Sequence, residues 1–310
     1  MSETTDTVDT NAGEPTRCGF IAVIGAPNAG KSTLVNALVG AKVSIVSPKA
    51  QTTRTIVRGI AVYGPAQVIY VDTPGIFAAK QRLERAMVAA AWMGAAEAEG
   101  IMFVVDAAKA LDGDSERVLA QLKDSGRKAM LVLNKVDIAD KAKMLDLTKR
   151  LNDTGLFSEV FMVSALTGDG LERIKAHVAG LVPPGPWLFP EDDISDMPGR
   201  LLAAEITREQ LFMQLSQELP YSCAVETERW EDRKDGSAKV DQTIYVSREG
   251  HKSIVLGEGG KRIKSIGAKA RAELEKLLDR KVHLFLHVKV KENWREDRGL
   301  FSAWGLDFNA

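Results

Sequence analysis

The run Gly25-Ala26-Pro27-Asn28-Ala29-Gly30-Lys31-Ser32 lies between an apolar stretch, Phe20–Ile24, and a helix-like stretch, Lys31–Val39. Strand, glycine loop and helix in that order direct a chain toward α/β architecture, because such a loop works where a strand end meets a helix start. Its glycines let successive backbone N–H groups curl around phosphate oxygens. The helix start adds its positive dipole end to the same place. This geometry predicts that Lys31 reaches the β- and γ-phosphates and that Ser32 ligates Mg²⁺. A glycine turn without a ligand is the plain alternative, and the complete eight-residue pattern in this context argues against it.

The segments that follow repeat the same grammar. Apolar runs at Phe20–Ile24, Ile56–Tyr63, Gln67–Val71, Ile101–Val105, Ala129–Leu133 and Val160–Val163 alternate with helical stretches at Lys31–Val39, Leu83–Ala96, Ser115–Asp124, Lys141–Leu151 and Gly170–Leu181. The pattern predicts a mostly parallel, doubly wound sheet with helices on both faces. Ligands in such folds bind at the carboxyl ends of the strands, and three further segments stand there or in adjoining loops. Gln51-Thr52-Thr53-Arg54 offers a second hydroxyl for Mg²⁺. Thr53 is the preferred choice and Thr52 the competing one, since spacing does not separate them. In Asp72-Thr73-Pro74-Gly75, Asp72 can orient the Mg²⁺ shell through water, and the Gly75 N–H can meet the γ-phosphate. That contact exists only before hydrolysis, which makes the segment a sensor of nucleotide state.

Asn134-Lys135-Val136-Asp137 specifies the base. A carboxylate at Asp137 accepts from both N1–H and the exocyclic amine of guanine, whereas adenine presents neither donor there. A site built on such pairs rejects the base that leaves them unmet. Asn134 is expected to brace the loop and the Lys135 stem to lie on the base, with Ser164-Ala165-Leu166 adding backbone N–H groups.

Composition narrows the remainder. A chain of 310 residues, 45% apolar and 27% charged, suits an ordinary globular protein of two domains. Cys18 and Cys223 fit no metal or redox spacing and read as reduced thiols of a cytoplasmic protein. Residues 1–16 are polar, lack a signal-peptide core and read as a disordered tail. No apolar run reaches transmembrane length.

Five prolines and three consecutive acids between Val182 and Arg200 mark a semi-rigid boundary. We therefore divide the chain into a nucleotide domain at 17–185, a linker at 186–199, a second domain at 200–293 and a tail at 294–310. The second domain reads as a helix at Arg200–Glu218, a hairpin of Tyr221–Trp230 and Val240–Ser247, a short helix at Lys252–Leu256, a long helix at Arg262–Asp279 and a strand at Val282–Val290. Net charge is −1, yet Lys261 to Lys291 holds ten Lys/Arg against three Asp/Glu, which hints at a polyanionic partner. Between the two helices stands Gly257-Glu258-Gly259-Gly260, followed by Lys261, Arg262 and Lys264. Such a turn lets an RNA backbone lie close, with helix N–H groups aimed at phosphates. Glu258 is unusual there, because an acid faces phosphate poorly. His251, His283 and His287 have no metal-ligand spacing and read as packing or surface residues. Trp294, Phe301 and Trp304 are expected to dock the tail on the second domain.

With these residues in place, the chain resembles the Era family of translation-factor-related GTPases across both domains. Its loop matches that family's G-x-P-N-x-G-K-S at Pro27 and Asn28, and helix–strand–strand–helix–helix–strand is similar to a type II KH domain. The resemblance implies GTP hydrolysis with Lys31, Thr53, Gly75 and Asn28 at the reacting phosphate, and Asn28 as a ligand for stimulating K⁺. It also implies binding of the 16S rRNA 3′ end, action in small ribosomal subunit (30S) assembly as a monomer, and loose association with the inner membrane. Ile76 stands where Ras-like proteins carry a water-orienting Gln, so slow intrinsic turnover is expected. Two other readings remain open: a constitutive RNA-binding module whose nucleotide is mainly structural, and a GTPase acting on tRNA or at the membrane.

Overall fold

A computed structural model of the chain describes residues 15–216 and 218–310. The expected disorder of the N-terminal tail therefore lies, for residues 1–14, outside the described residues.

The nucleotide domain is a six-stranded sheet in the order β2-β3-β1-β4-β5-β6, comprising β1 (Arg17–Ile24), β2 (Val57–Tyr63), β3 (Ala66–Asp72), β4 (Gly100–Asp106), β5 (Ala129–Asn134) and β6 (Phe157–Val163). Only β2 runs antiparallel. Strands β1, β4 and β5 are apolar on both sides because helices cover both faces. On one face α1 (Lys31–Val39) and α5 (Leu171–Leu181) pack Leu34, Leu38, Ile174 and Val178 against Ile21 and Val23. On the other, α2 (Arg82–Glu97), α3 (Gly113–Ser125) and α4 (Lys141–Asn152) bring Ala91, Val118 and Leu151 onto Ala22, Ile24 and Phe103. Helix α1 begins at Lys31 and ends at Val39, where Gly40 takes the left-handed conformation, the common helix stop.

The proline-rich linker is a strap. Among the described residues no helix covers the part of the sheet that presents Cys18, Ile60 and Ile69, and Trp187 and Phe189 fill that place. The fully buried Gln67 side chain holds the strap: its oxygen accepts from Leu188 N (2.9 Å) and Phe189 N (3.0 Å), and its nitrogen donates to Phe189 O (2.8 Å). Edge strand β2 donates from Ile60 N to Ile194 O at 2.9 Å.

The second domain runs α6 (Gly199–Gln214), β7 (Cys223–Asp232), β8 (Ala238–Val246), α7 (Glu249–Leu256), α8 (Lys261–Leu278) and β9 (Val282–Val290). β8 pairs antiparallel with β7 and parallel with β9, while α6, α7 and α8 bury Leu211, Val255 and Ile266 on one sheet face. Helix α6 ends at Gln214, four residues before the expected Glu218. Leu215 turns extended, and the Phe212 and Leu215 carbonyls accept from Lys49 Nζ of the nucleotide domain. A lysine from elsewhere thus satisfies carbonyls that another helical turn would have used.

The tail at 294–310 reaches further than the second domain. Trp294, Phe301 and Trp304 pack with Ala224 of β7 on one side and with Leu83, Met87 and Phe77 of the nucleotide domain on the other. The periodicity of α2 carries two apolar faces, one for its own sheet and one for this tail.

Replacing Gln67 by Leu leaves the Leu188 and Phe189 N–H groups unpaired. We expect a loss of about 2–3 kcal/mol in denaturant unfolding, with faster proteolytic cleavage within residues 186–199; unchanged values for both would show that the strap is not held there.

Candidate nucleotide site

The four sequence segments converge at the carboxyl ends of β1, β3 and β5 and at the loops beside them. Gly25 (φ 152°) and Gly30 (φ 94°) adopt backbone conformations that disfavour side chains, and a Cβ at either would collide with Val104 O (2.4 Å) or Asn134 Nδ2 (2.2 Å). Gly75 lies against Pro27, with Pro27 Cα 3.0 Å from where a Cβ would stand. Ala26 and Ala29 are buried beside these glycines, and Asn28 (φ 62°) is the exposed point of the loop.

Lys31 is buried, its ammonium donating to Gly25 O (3.1 Å) and Ala26 O (2.9 Å). Burial pulls its pKa down to about 8, although the Asp72 carboxylate opposes that shift. Ser32 and Thr53 share a hydrogen bond of 2.8 Å between their hydroxyls. Thr52 points elsewhere: its hydroxyl meets Ser47 Oγ (2.6 Å) and donates to Lys49 O (2.8 Å). The structure thus separates the two threonines by their partners.

Asp72 is fully buried, and neither carboxylate oxygen has a hydrogen-bond partner among the described residues. Burial raises its pKa; the nearby Ser32 and Ser44 hydroxyls and the Lys31 ammonium oppose the rise. The Ser44 hydroxyl is likewise buried and unpartnered. Thr73 donates from its hydroxyl to Val23 O at 2.8 Å, which joins the end of β3 to β1, and Pro74 is buried between Thr73 and Gly75. Ile76 is fully buried among Ala22, Ile24 and Phe103, so it faces the core and not the phosphates.

The base side is assembled around Asn134. Its Nδ2 donates to Ala29 O (3.0 Å), and its Oδ1 accepts from Lys135 N (2.9 Å) and Ala165 N (3.0 Å). Lys135, at φ 67°, donates from Nζ to Asn28 O (2.8 Å) and pairs with Asp106 (2.7 Å). Asp137 and Leu166 are exposed at the rim, and Ser164 is buried beneath it. Asp106 and Ser44 escaped sequence reasoning. Asp106 had a usable signal, as the one acid at the end of an apolar strand paired in register with Asn134; Ser44 had none.

Gln51 (φ 54°) is half-buried beside the loop. Arg54, next to Thr53, reaches away from its own domain. It is buried in the second domain, where Nη1 donates to Cys223 O at 2.7 Å.

In the second domain Gly257 (φ 72°), Gly259 (φ 57°) and Gly260 (φ 75°) all require left-handed backbone, and a Cβ at Gly257 would stand 2.7 Å from the Arg262 Cβ. Glu258, Lys261 and Lys264 are exposed on this turn and the start of α8. Arg262 folds back instead, donating from Nη1 to Ile254 O at 2.8 Å. His283 and His287 are exposed, and His251 accepts from Arg248 Nε at 2.7 Å. Among the described residues no group of three or more His, Cys, Asp and Glu could hold a metal by itself.

Phosphate bound against Lys31 favours the ammonium form, which raises its pKa above about 8. GTP binding is therefore expected to take up a proton increasingly as pH rises from 7 to about 9, measurable by calorimetry in buffers of differing ionisation enthalpy. No uptake across that range would contradict the burial effect.

Two family models match the chain: "50S ribosome-binding GTPase" over residues 20–135 and "KH domain" over residues 218–295. GTPase Era of Rhizobium meliloti (strain 1021) is 56% identical over 301 residues, covering 97% of this chain and 96% of the relative. GTPase Era of Caulobacter vibrioides (strain NA1000 / CB15N) is 54% identical over 314 residues, covering 97% and 99%. Among solved structures, Aquifex aeolicus Era Y63A bound to GDP·AlF4⁻ superposes with a TM-score of 0.88 at 38% identity, covering 94% of this chain and 99% of that one. A structure of Era with MgGDPNP and nucleotides 1506–1542 of 16S ribosomal RNA matches equally, with a TM-score of 0.88 at 38% identity over 94% and 99%. Identity of 54% and 56% to these GTPase Era relatives over 97% of the chain, with a P-loop domain joined to a KH domain, places the chain in the Era family of GTPases.

Proposed function

We propose that this GTPase is a slow, K⁺-stimulated switch that binds the 3′ end of 16S rRNA through its KH domain and acts in 30S assembly. The observation that carries the switch is the buried Asp72 carboxylate, unpartnered beside the bonded hydroxyls of Ser32 and Thr53. A buried carboxylate without a well-formed hydrogen bond is costly, and the Lys31 ammonium with the Ser32 and Ser44 hydroxyls offsets only part of its burial, which leaves room for a cation. These residues fit Mg²⁺: Ser32 and Thr53 would ligate it and Asp72 would hold its waters. Bound there, the ion would neutralise charge on the β- and γ-phosphates.

The chain's own groups supply the remainder. Lys31 brings a positive charge to the phosphates. The backbone N–H groups of Gly25 through Ser32 orient them, and the Gly75 N–H meets the γ-phosphate. Asp137 selects guanine, while Asn134, Lys135, Ser164, Ala165 and Leu166 frame the base. Ile76, turned into the core, leaves no side chain at that position to orient water. Hydrolysis is accordingly slow, and K⁺ held by the exposed Asn28 would add the missing positive charge.

RNA binding is supported by the KH match, by the exposed Gly257-Glu258-Gly259-Gly260 turn, and by the RNA complex of the similar Era structure. Lys261 and Lys264 are better placed for phosphate than Arg262, which is engaged with Ile254 O. The reading further takes the protein as a cytoplasmic monomer with loose association with the inner membrane; no described helix is long and apolar enough to cross a membrane.

GTP hydrolysis in K⁺ is expected to exceed that in Na⁺ by about tenfold or more, and Asn28→Ala should erase the difference. Equal rates in both salts would remove K⁺ from the reading, and no turnover in either would favour the constitutive RNA-binding module. Neutralising Lys261 and Lys264 to Gln should weaken binding of a 16S 3′-end oligonucleotide and flatten its salt dependence by about 0.7 per lost phosphate contact. Binding that survives the change would overturn the KH-turn assignment.

A further inference from the structure

The loop between α1 and β2 carries Thr53 to the nucleotide, yet most of its side-chain anchors lie in the second domain. Lys42 pairs with Glu209 of α6 (2.7 Å) and Glu273 of α8 (3.0 Å). Ile45 is buried in the hydrophobic cluster of Ala203, Ile206 and Leu274. Val46 N donates to Glu209 Oε1 (2.9 Å), and Lys49 reaches the last carbonyls of α6. Arg54 completes the series. Its guanidinium donates to Cys223 O (2.7 Å), Tyr221 O (3.3 Å) and Pro220 O (3.4 Å), and lies 5.9 Å from the Phe212 ring centroid and 5.4 Å from that of Trp294. Helix α6, the start of β7 and the C-terminal tail therefore meet on one side chain.

The charge there is not balanced locally. Glu205 is engaged with Arg208, and Arg208 Nη1 is buried without a hydrogen-bond partner among the described residues. A buried cation held mainly by backbone carbonyls and ring faces can be worth its desolvation only while that seat stays intact. Arg54 and Thr53 are consecutive residues, so a shift of the seat beyond what the Arg54 side chain can absorb moves the backbone that carries the Thr53 hydroxyl.

We infer that Arg54 is a positioning residue for GTP hydrolysis: seated in the KH domain, it holds the Thr53 hydroxyl against Ser32. The inference rests on the reading of Thr53 as a Mg²⁺ ligand. It makes the second domain part of the nucleotide site, and any ligand that moves α6 or the start of β7 changes the GTP state. Reciprocity then requires GTP to change affinity for that ligand equally.

In the full chain, Arg54→Gln should lower kcat for GTP about 10- to 100-fold, the range for a displaced reacting group, and erase any preference for a GTP analogue over GDP. GDP affinity should stay unchanged, because the Thr53 hydroxyl acts only through the Mg²⁺ that the γ-phosphate brings. Arg54→Lys, with one point charge for three carbonyls, should restore only part of the rate. A merely structural residue would lower the melting temperature and leave the ratio of GTP-analogue to GDP affinity as it was; that result, or a fully active Arg54→Gln, overturns the inference. Thr53→Ala separates the underlying reading. If Thr53→Ala hydrolyses GTP normally, the assignment of Thr53 falls and the inference with it; if only Thr53→Ala is impaired, the inference alone falls. Should Arg54→Gln not fold, hydrogen exchange on the unaltered chain decides. Replacing GDP by Mg²⁺ and a GTP analogue should protect amides of residues 42–54 and 221–224 together, and protection of the first segment alone overturns the inference.

Discussion

A carboxamide carries two donor hydrogens and an acceptor oxygen with two lone pairs, and Asn134 uses both ends to hold three loops together. From the end of β5 it reaches the P-loop at Ala29 and the base loop at Ala165, and it also braces its own loop at Lys135. The side chain is buried, so each of these bonds replaces one that water would otherwise make. Lys135 adds a second tie between Asn28 and Asp106. The pocket's geometry follows from these ties: the glycine loop keeps its left-handed positions at Asn28 and Gly30 because neighbouring strands hold it there.

On the phosphate side the logic is reversed. Where Asn134 fills three of its four hydrogen-bonding positions, Asp72 is left wanting, with two buried oxygens and no hydrogen-bond partner among the described residues. A binding site for a cation and a polyanion has to contain such unmet demand, since a group already satisfied gains little from a ligand. The buried Lys31 ammonium donates to two backbone carbonyls, yet burial still depresses its pKa, so it too gains from a charge of opposite sign. The domain therefore divides its polar groups into those that build the frame and those held ready for substrate.

The second domain is joined to this frame through the loop before β2 and through the tail on α2. Both joints are chemically mixed, with Ile45 and Trp294 buried beside Lys42, Arg54 and Arg295. Interfaces of this kind permit rearrangement more readily than a wholly apolar core does. The proline-rich strap limits that freedom from the other side, because Gln67, Trp187 and Phe189 bind it to the sheet before α6 begins.

Much of this was legible in the order of residues. The P-loop, Asp72 and the Asn134–Asp137 segment are local chemistry: their residues stand within a few positions of one another at strand ends, so spacing alone brings them together. The apolar strands and α1 were readable for the same reason, since periodicity of 2 and of 3.6 residues is a property of short windows. Boundaries failed where a distant group intervened, as at the end of α6, which Lys49 satisfies from the other domain. The sequence by itself determined the sheet, the guanine site and the KH order. Only the tertiary structure gave Thr52 and Thr53 different partners, sent Arg54 into the second domain and laid the tail on α2. Those outcomes depend on pairs separated by more than a hundred residues, or on which way one hydroxyl turns, and neither leaves a periodic trace in the chain.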